Sequence, residues 1–406
     1  MLSLRNMRAR ATSMPRDVLV LTMVAFSVAV GFGVLVPVLP VFAKHFGVSN
    51  FAAAAVVSAF AVMRLVTSPF VGRIINTLGT RTTMVTGILI VAVSSTLAGF
   101  AQTYSWLLIM RGLGGIGSAM FTVSAMTLLL AAAPPDKRGR AVGTFQSGFL
   151  LGGMAGPALG ALVASIHITA PFHFYAVMLL VAGTVALILL RSHGGTVEED
   201  HTEPPRPLRE VLRDARFQAA CLAGASQGWN TMGMRNSLTP VFVVEVLDRG
   251  PAWTGIAFAS GAIVQTIALQ PVGRIVDQVG RRPVMIAGSL VAGLCLIAVP
   301  FTTSVWVFIP IMALYGIGAA CLGTAPAASV GDAAGGKGGT PVAIFSMFTD
   351  LGAILGPLVA GFLADQTTWP IAFSAGTILF AVVILLSLRM PPGRPTAATE
   401  RSTPLE

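Results

Sequence analysis

The chain has 406 residues, of which 54% are hydrophobic and only 10% charged. With a mean hydropathy of +0.81 it is too apolar for a water-soluble domain of that length, so the composition points to an integral membrane protein. Its net charge of +10 is no argument for nucleic acid, because the cations sort by membrane side, as shown below. A span needs about 20 apolar residues to cross roughly 30 Å of hydrocarbon. Such runs lie at about 17 to 41, 51 to 72, 82 to 101, 104 to 130, 141 to 166 and 171 to 191, then again at about 216 to 246, 252 to 275, 283 to 302, 304 to 330, 340 to 364 and 369 to 389. The expected fold is therefore an all-α membrane protein with twelve transmembrane helices in two six-helix bundles. A tail (1–16), a first bundle (17–191), a polar linker (192–215), a second bundle (216–389) and a second tail (390–406) divide the chain. The first run is too long for a signal-peptide core and is expected to remain as a span.

The two bundles repeat one another at an offset of about 200 residues. VGRIINTLGTRT (71–82) returns as VGRIVDQVGRRP (272–283), and GVLVPVLPVF (33–42) as GMRNSLTPVF (233–242). Gly115-Ile116-Gly117 returns as Gly316-Ile317-Gly318, and the Gly152, Gly156-Pro157 pattern as Gly352, Gly356-Pro357. Conserved order across the halves implies a duplicated unit and two pseudo-symmetric bundles around a central cavity.

If both termini are cytoplasmic, the tails and loops on that side hold 21 of the 26 Lys and Arg residues. The opposite side holds Lys44 and Arg249. That asymmetry sets the topology by the positive-inside rule and predicts a multi-pass protein of the cell membrane. Cys221, Cys295 and Cys321 are scattered through spans and form neither a disulfide framework nor a metal site. The linker is read as cytoplasmic, with a short basic amphipathic helix from Leu208 to Phe217 lying on the membrane surface.

These motifs resemble those of the major facilitator superfamily, within it the twelve-span drug/proton antiporters. Gly273, Asp277, Gly280, Arg281 and Arg282 look like the superfamily's loop motif between spans 8 and 9, and Gly72, Asn76, Gly79 and Arg81 like its copy between spans 2 and 3. Asn76 stands where the family usually has Asp, so the latch that this acid is thought to supply should be weaker. Arg111 with Gly114, Gly115 and Gly117 resembles the span 4 motif. Gly143, Gly152, Gly156, Pro157 and Gly160 resemble the antiporter motif of span 5, with Ala161 in place of its last Gly. The resemblance implies alternating access, proton-coupled antiport and a role for Arg111 in proton movement. Read from the residues alone, glycines four apart let a neighbouring backbone approach, and Pro157 should bend its helix; they serve either a tight hinge or ordinary bundle packing.

A charge at mid-bilayer costs about 2.5 to 3.5 kcal/mol even on the insertion scale. Arg64, Arg111, Arg235 and Asp350 stand inside spans, and by the repeat they fall opposite Gln265, Met312, Leu35 and Leu150. Charges that break the duplication are not shared scaffold. Asp350 lies about 200° round its helix from Gly352 and about 240° from Gly356, opposite the packing stripe and beside Ser346. It is either the proton carrier or half of an ion pair with Arg235 or Arg64. Arg111 shares a stripe with Gly115, Ser118 and Thr122, and is alternatively a structural hydrogen-bond donor. Span 7 is the most polar, with Gln227, Asn230, Thr231, Arg235, Asn236 and Thr239. Its length, Gly228, Gly233 and Pro240 suggest a broken helix. Gln146 and Gln265 complete the expected substrate cavity.

Three cations against one anion make the cavity favour neutral or anionic amphipathic or lipid-like substrates. The expected protein is a monomeric secondary transporter that exports small amphipathic compounds, with the proton as coupling ion, no bound cofactor or metal, and no enzyme activity. A lipid or glycolipid translocator, an organic-anion carrier and, from another class, a non-transporting membrane receptor are the alternatives. The glycines of 112–117 and 331–339 lack the Lys-Ser/Thr context of a nucleotide loop.

Overall fold

A computed structural model describes residues 15–133, 138–190, 207–334 and 339–391. Among them the chain is helical, without strands. The helices of the first half are α1 (Arg16–Leu35), α2 (Leu39–Lys44), joined to α1 by a 3-10 turn, α3 (Asn50–Leu78), α4 (Thr80–Gly99), α5 (Tyr104–Ala132), α6 (Arg138–Ile166) and α7 (Ala170–Leu189). The second half has α8 (Leu208–Arg213), α9 (Ala215–Gly228), a π-helical stretch (Trp229–Leu238), α10 (Thr239–Glu245), α11 (Pro251–Val279), α12 (Arg281–Ala298), α13 (Val305–Ala334), α14 (Gly339–Gln366) and α15 (Trp369–Leu388).

Ten helices among the described residues are long and apolar enough to cross a membrane, and an eleventh joins them if the two parts of α6, bent by 42° at Pro157, are one span. The bend is the expected effect of a ring that removes a donor and crowds the preceding turn. The continuous rod from Ala215 to Glu245 is not among the ten. Its centre carries Gln227, Asn230, Thr231, Arg235 and Asn236, which lower its hydropathy.

Packing divides the chain differently from the duplication. One compact unit comprises 1–35, 62–156 and 166–200, and the other 36–61, 157–165 and 201–406. The second unit thus contains α2 and the start of α3 as well as the whole second half.

Within each unit the sequence echoes turn out to be helix crossings. A Cβ on Gly156 would lie 2.6 Å from the Gly33 Cα, and one on Gly233 would lie 2.5 Å from the Gly356 carbonyl carbon. Gly33 and Gly233 are repeat equivalents, as are Gly156 and Gly356, so α1 crosses α6 as the π-helical stretch crosses α14. The same holds one layer away. A Cβ on Gly117 would meet the Gly87 carbonyl at 2.5 Å, and one on Gly318 the Gly288 carbonyl at 2.9 Å, joining α4 to α5 and α12 to α13. Apolar side chains fill the remaining space: Met234, Phe242, Phe258, Phe308, Phe373 and Phe380 are among the buried core of the second unit, while Ile188, Ile267 and Trp306 on outer faces are exposed, as lipid-facing residues are.

Two expectations change. The linker helix does not run from Leu208 to Phe217; it ends at Arg213, and the Asp214 carboxylate accepts from the Arg216 N–H at 2.7 Å, capping α9. Val211 of this helix is buried with Phe217, Cys221, Val330 and Ala333, while Leu208 and Leu212 are exposed. Span 7 is not broken. Gly228 and Gly233 are contact points on α14, and the helix widens instead: Trp229–Leu238 is π-helical, and the Thr239 hydroxyl donates to the Met234 carbonyl five residues back at 2.8 Å. A wider turn moves the carbonyl four residues before Pro240 away from its ring, which accounts for a π segment directly ahead of a proline.

Replacing Gly156 or Gly356 by Leu is expected to cost about 1–3 kcal/mol or more through forced separation of two backbones, read as a fall in the thermal midpoint of the detergent-purified protein. Gly143, which has nothing within 4 Å of its would-be side chain, should tolerate Ala with the midpoint unchanged or slightly higher.

Candidate functional site

The paired loop motifs act on helix ends. Gly79 (φ +81°) and Gly280 (φ +104°) occupy the left-handed region, open to glycine without strain, and each starts the next helix. The following arginines reach the carbonyl ends of other helices: Arg81 donates to the Leu187 carbonyl, and Arg282 to the Met390 carbonyl at 3.2 Å. A cation at a helix C-terminus satisfies orphan carbonyls and opposes the negative end of the dipole. Arg281 pairs with Asp332 at 2.8 Å on α13, a partner that the motif itself does not announce. Gly72 and Gly273 have open surroundings, and Asn76 is exposed. The side chain of Asp277 lies outside the described ones.

In span 5 the stripe that meets α1 is Gly148, Gly152 and Gly156, against Thr22, Phe26 and Gly33 respectively. Gly148 was missing from the sequence pattern, and Gly143, which was in it, touches nothing. Gly160 and Pro157 are buried, and Ala161, in place of the usual Gly, meets Gly255 of α11.

Among the intramembrane charges, Arg111 is buried in the first unit, 2% exposed, and close enough to the buried Tyr175 of α7 to interact electrostatically. Along its stripe Gly115 is also buried, Ser118 is half-buried and Thr122 is exposed, so the stripe opens only toward Thr122. Arg64 is half-buried and Gln146 exposed. Asp350 is half-buried near the middle of α14. It shares a stripe with Ile354, Gly361 and Asp365, which meets the first half of α3: Ser58 donates to the Ile354 carbonyl at 2.8 Å, and Gly361 abuts Asn50 and Phe51. Ser346, one turn before Asp350, is exposed. The glycine stripe of α14 points elsewhere, to α9 and the π stretch.

On span 7 the polar residues part company. Asn230 is fully buried and structural: its amide donates to the Ser226 carbonyl at 2.8 Å and the Gly376 carbonyl at 3.4 Å, tying the π stretch to α15. Asn236 turns back to the Met232 sulfur at 3.6 Å. Gln227 and Thr231 are half-buried. Arg235 lies with its guanidinium carbon 4.8 Å from the centre of the Phe258 ring and joins Gln265, Met312 and Tyr315 around a small cavity with room for roughly one water molecule. Two expected residues, Arg235 and Gln265, are thus brought together. Tyr315 and Phe258 were not foreseen, because nothing in the sequence brings α11 and α13 alongside Arg235. A desolvated cation–π contact contributes about 2 kcal/mol or more, the same order as the roughly 2.5–3.5 kcal/mol cost of an intramembrane cation.

A second polar cluster holds the end of span 7. Lys44 of α2 pairs with Glu245 of α10 at 2.9 Å and donates to the Asn50 side chain at 3.1 Å. Both Asp365 carboxylate oxygens accept backbone N–H groups, of Asn50 and of Phe51, each at 2.8 Å, at the N-terminus of α3. Lys44, His45, Val241 and Glu245 line a cavity of about 200 Å³. The sequence hinted at this only through Lys44, a rare cation on its side. Among the described residues no group of His, Cys, Asp and Glu is placed to hold a metal ion.

Duplicated helix crossings, a polar seventh helix and charges buried between helices define a multi-span helical membrane protein with an internal repeat. The chain belongs to the Major Facilitator Superfamily, whose family model matches residues 21–264 and 236–405. It is 26% identical to Multidrug resistance protein 1 of Bacillus subtilis (strain 168) over 376 residues, 90% of this chain and 94% of that protein. It is 28% identical to the synaptic vesicular amine transporter of Bos taurus over 250 residues, 61% of this chain but 47% of that protein, so the chain spans about half the length of these amine transporters. The fold is that of a bacterial homolog of the human lysosomal transporter Spinster, solved in an inward-facing and occupied conformation (TM-score 0.73, 15% identity, 91% of this chain and 95% of that one). The family and its structural neighbours are transporters.

Removing either member of the Lys44–Glu245 pair should lower the thermal midpoint. Both partners are partly exposed, so a double-mutant cycle should give a coupling of about 0.2–1 kcal/mol that shrinks at high salt. Exchanging the two charges should restore most of the loss.

Proposed function

We propose that this protein is a secondary transporter of the cell membrane that exports small amphipathic compounds in exchange for protons. It has twelve spans, the rod Ala215–Glu245 counting as the seventh, and both termini cytoplasmic. The similarity to Multidrug resistance protein 1 over nearly the full length of both chains supports export of drug-like compounds. The single observation that carries the coupling is Asp350, a half-buried carboxylate near the middle of a span. A carboxylate whose solvation changes as the site opens to one side and then the other can bind and release a proton. One proton is worth about 2.3 kcal/mol per 100 mV, enough for roughly a fifty-fold gradient of a neutral solute. Alternating access then needs a gate on each side. With the positive-inside orientation, the cluster of Lys44, Glu245, Asn50 and Asp365 is on the outer face and serves as the outer gate.

A second reading is an organic-anion or lipid-head carrier, favoured by the guanidinium of Arg235 at a small, largely apolar cavity. The vesicular amine transporters point the other way, to amines, for which a carboxylate such as Asp350 is the natural partner. The charge preference is therefore set by whether Asp350 or Arg235 meets the substrate. The membrane lipids are the remaining partners, and the chain works as a monomer.

In proteoliposomes, an imposed pH gradient should drive accumulation of a fluorescent drug by the wild-type protein. Asp350→Asn should abolish the response to the gradient while leaving downhill movement of the drug in place. Flux that ignores the pH gradient in the wild-type protein, or gradient-driven flux in Asp350→Asn, would overturn the reading.

A further inference from the structure

The Arg235 cavity is built wholly inside the second compact unit. Three side chains with N–H or O–H donors surround it: the Arg235 guanidinium from the π stretch, the Gln265 amide from α11 and the Tyr315 hydroxyl from α13. Among the described residues none of these three polar ends makes a hydrogen bond or a salt bridge; Arg235 lies over the ring of Phe258 and is close enough to Tyr315 to interact electrostatically. None of their polar atoms is among the buried ones left without a partner, so these donors are not sealed into an internally satisfied network and stay open to a ligand. Gly261 and Gly316 also line it, at a crossing of α11 on α13 where a Cβ on either would meet the backbone of the other helix.

The repeat strengthens the contrast. The first-half equivalents of Phe258, Gly261, Gln265, Met312 and Tyr315 are Val57, Phe60, Arg64, Arg111 and Gly114, and that of Arg235 is Leu35. A phenylalanine stands where the second half has Gly261, and a glycine where it has Tyr315. The phenol and the span 7 guanidinium both belong to the second half alone.

We propose that Arg235, Gln265 and Tyr315 form a binding site for a small anion. The charge comes from the guanidinium, while the amide and the phenol supply two further donors from different helices. In the geometry seen here the space takes a single anionic atom, a halide ion or one oxygen of a carboxylate. The site does not depend on the proposed proton-coupled export, because it concerns binding alone.

The test is the thermal midpoint of the detergent-purified full chain at fixed ionic strength, as sodium gluconate is replaced by sodium chloride and, in a second series, by sodium acetate. The expected result is a saturable rise in chloride that Arg235→Gln abolishes and Tyr315→Phe weakens at least five-fold in apparent affinity. A matching, competing rise in acetate identifies a site that also admits the carboxylate end of a larger molecule; a rise in chloride alone identifies a halide site, and either supports the proposal. If Arg235→Gln fails to fold, Tyr315→Phe and Gln265→Leu carry the test. A midpoint equal in chloride and gluconate means that the site holds only water and overturns the proposal, as does a chloride rise that all three variants retain. Proton-driven flux through wild type and its loss in Asp350→Asn bear on the export reading and not on this one.

Discussion

Close approach of helix backbones at glycine is the constraint on which the rest of this structure depends. Lipid tails are as apolar as a leucine side chain, so helices in a bilayer gain little from burying apolar surface against each other and associate by contact. Contact is best where no Cβ intervenes. Gly33 on Gly156, Gly87 on Gly117, Gly233 on Gly356 and Gly288 on Gly318 are four such points, two in each half, at matching places in the repeat. A duplicated chain keeps them because each requires two residues at once, on different helices.

That scaffold explains what the polar residues are free to do. With α14 pinned to span 7 through Gly352 and Gly356, its opposite stripe is turned to other partners, and Asp350, Ile354 and Asp365 lie there. With the π stretch pinned through Gly228 and Gly233, widening the helix redistributes its polar side chains: Asn230 goes to α15, while Arg235 faces α11 and α13. One polar helix thus serves both a structural bond and a cationic cavity, a split that a regular 3.6-residue period does not display.

Much of the fold was legible in the sequence because membrane spans announce themselves by length and the repeat by identity. Gly156 and Gly356 could be recognised as packing positions from spacing alone, and Pro157 as a bend. What was not legible required knowing which helices are neighbours. Gly148 packs on Thr22 although it stands outside the motif, and Gly143 stands in the motif but packs on nothing. Tyr315 joins Arg235 only because α13 lies beside the π stretch, and Asp332 joins Arg281 only because α12 starts where α13 ends. The linker helix stops short of Phe217 because the Asp214 backbone ends it while the Asp214 carboxylate begins the next helix. Asn230 was assigned to a cavity on polarity alone, and polarity does not distinguish an asparagine that meets solvent from one that meets a carbonyl.

The two halves therefore share a frame and differ in where they place charge. The first half puts Arg64 and Arg111 on spans 2 and 4; the second has Gln265 and Met312 at those places and moves its cation to span 7. An exact repeat would carry the same charge at the same depth twice, and opening either half would then expose the same chemistry. Moving the cation to the helix whose far end carries Glu245 places it on one rod with the pair to Lys44. Were that rod to shift along α14, the surroundings of Arg235 and the Lys44–Glu245 distance would change together. Any ligand that binds differently before and after such a shift biases the ion pair by the same free energy, because linkage acts in both directions.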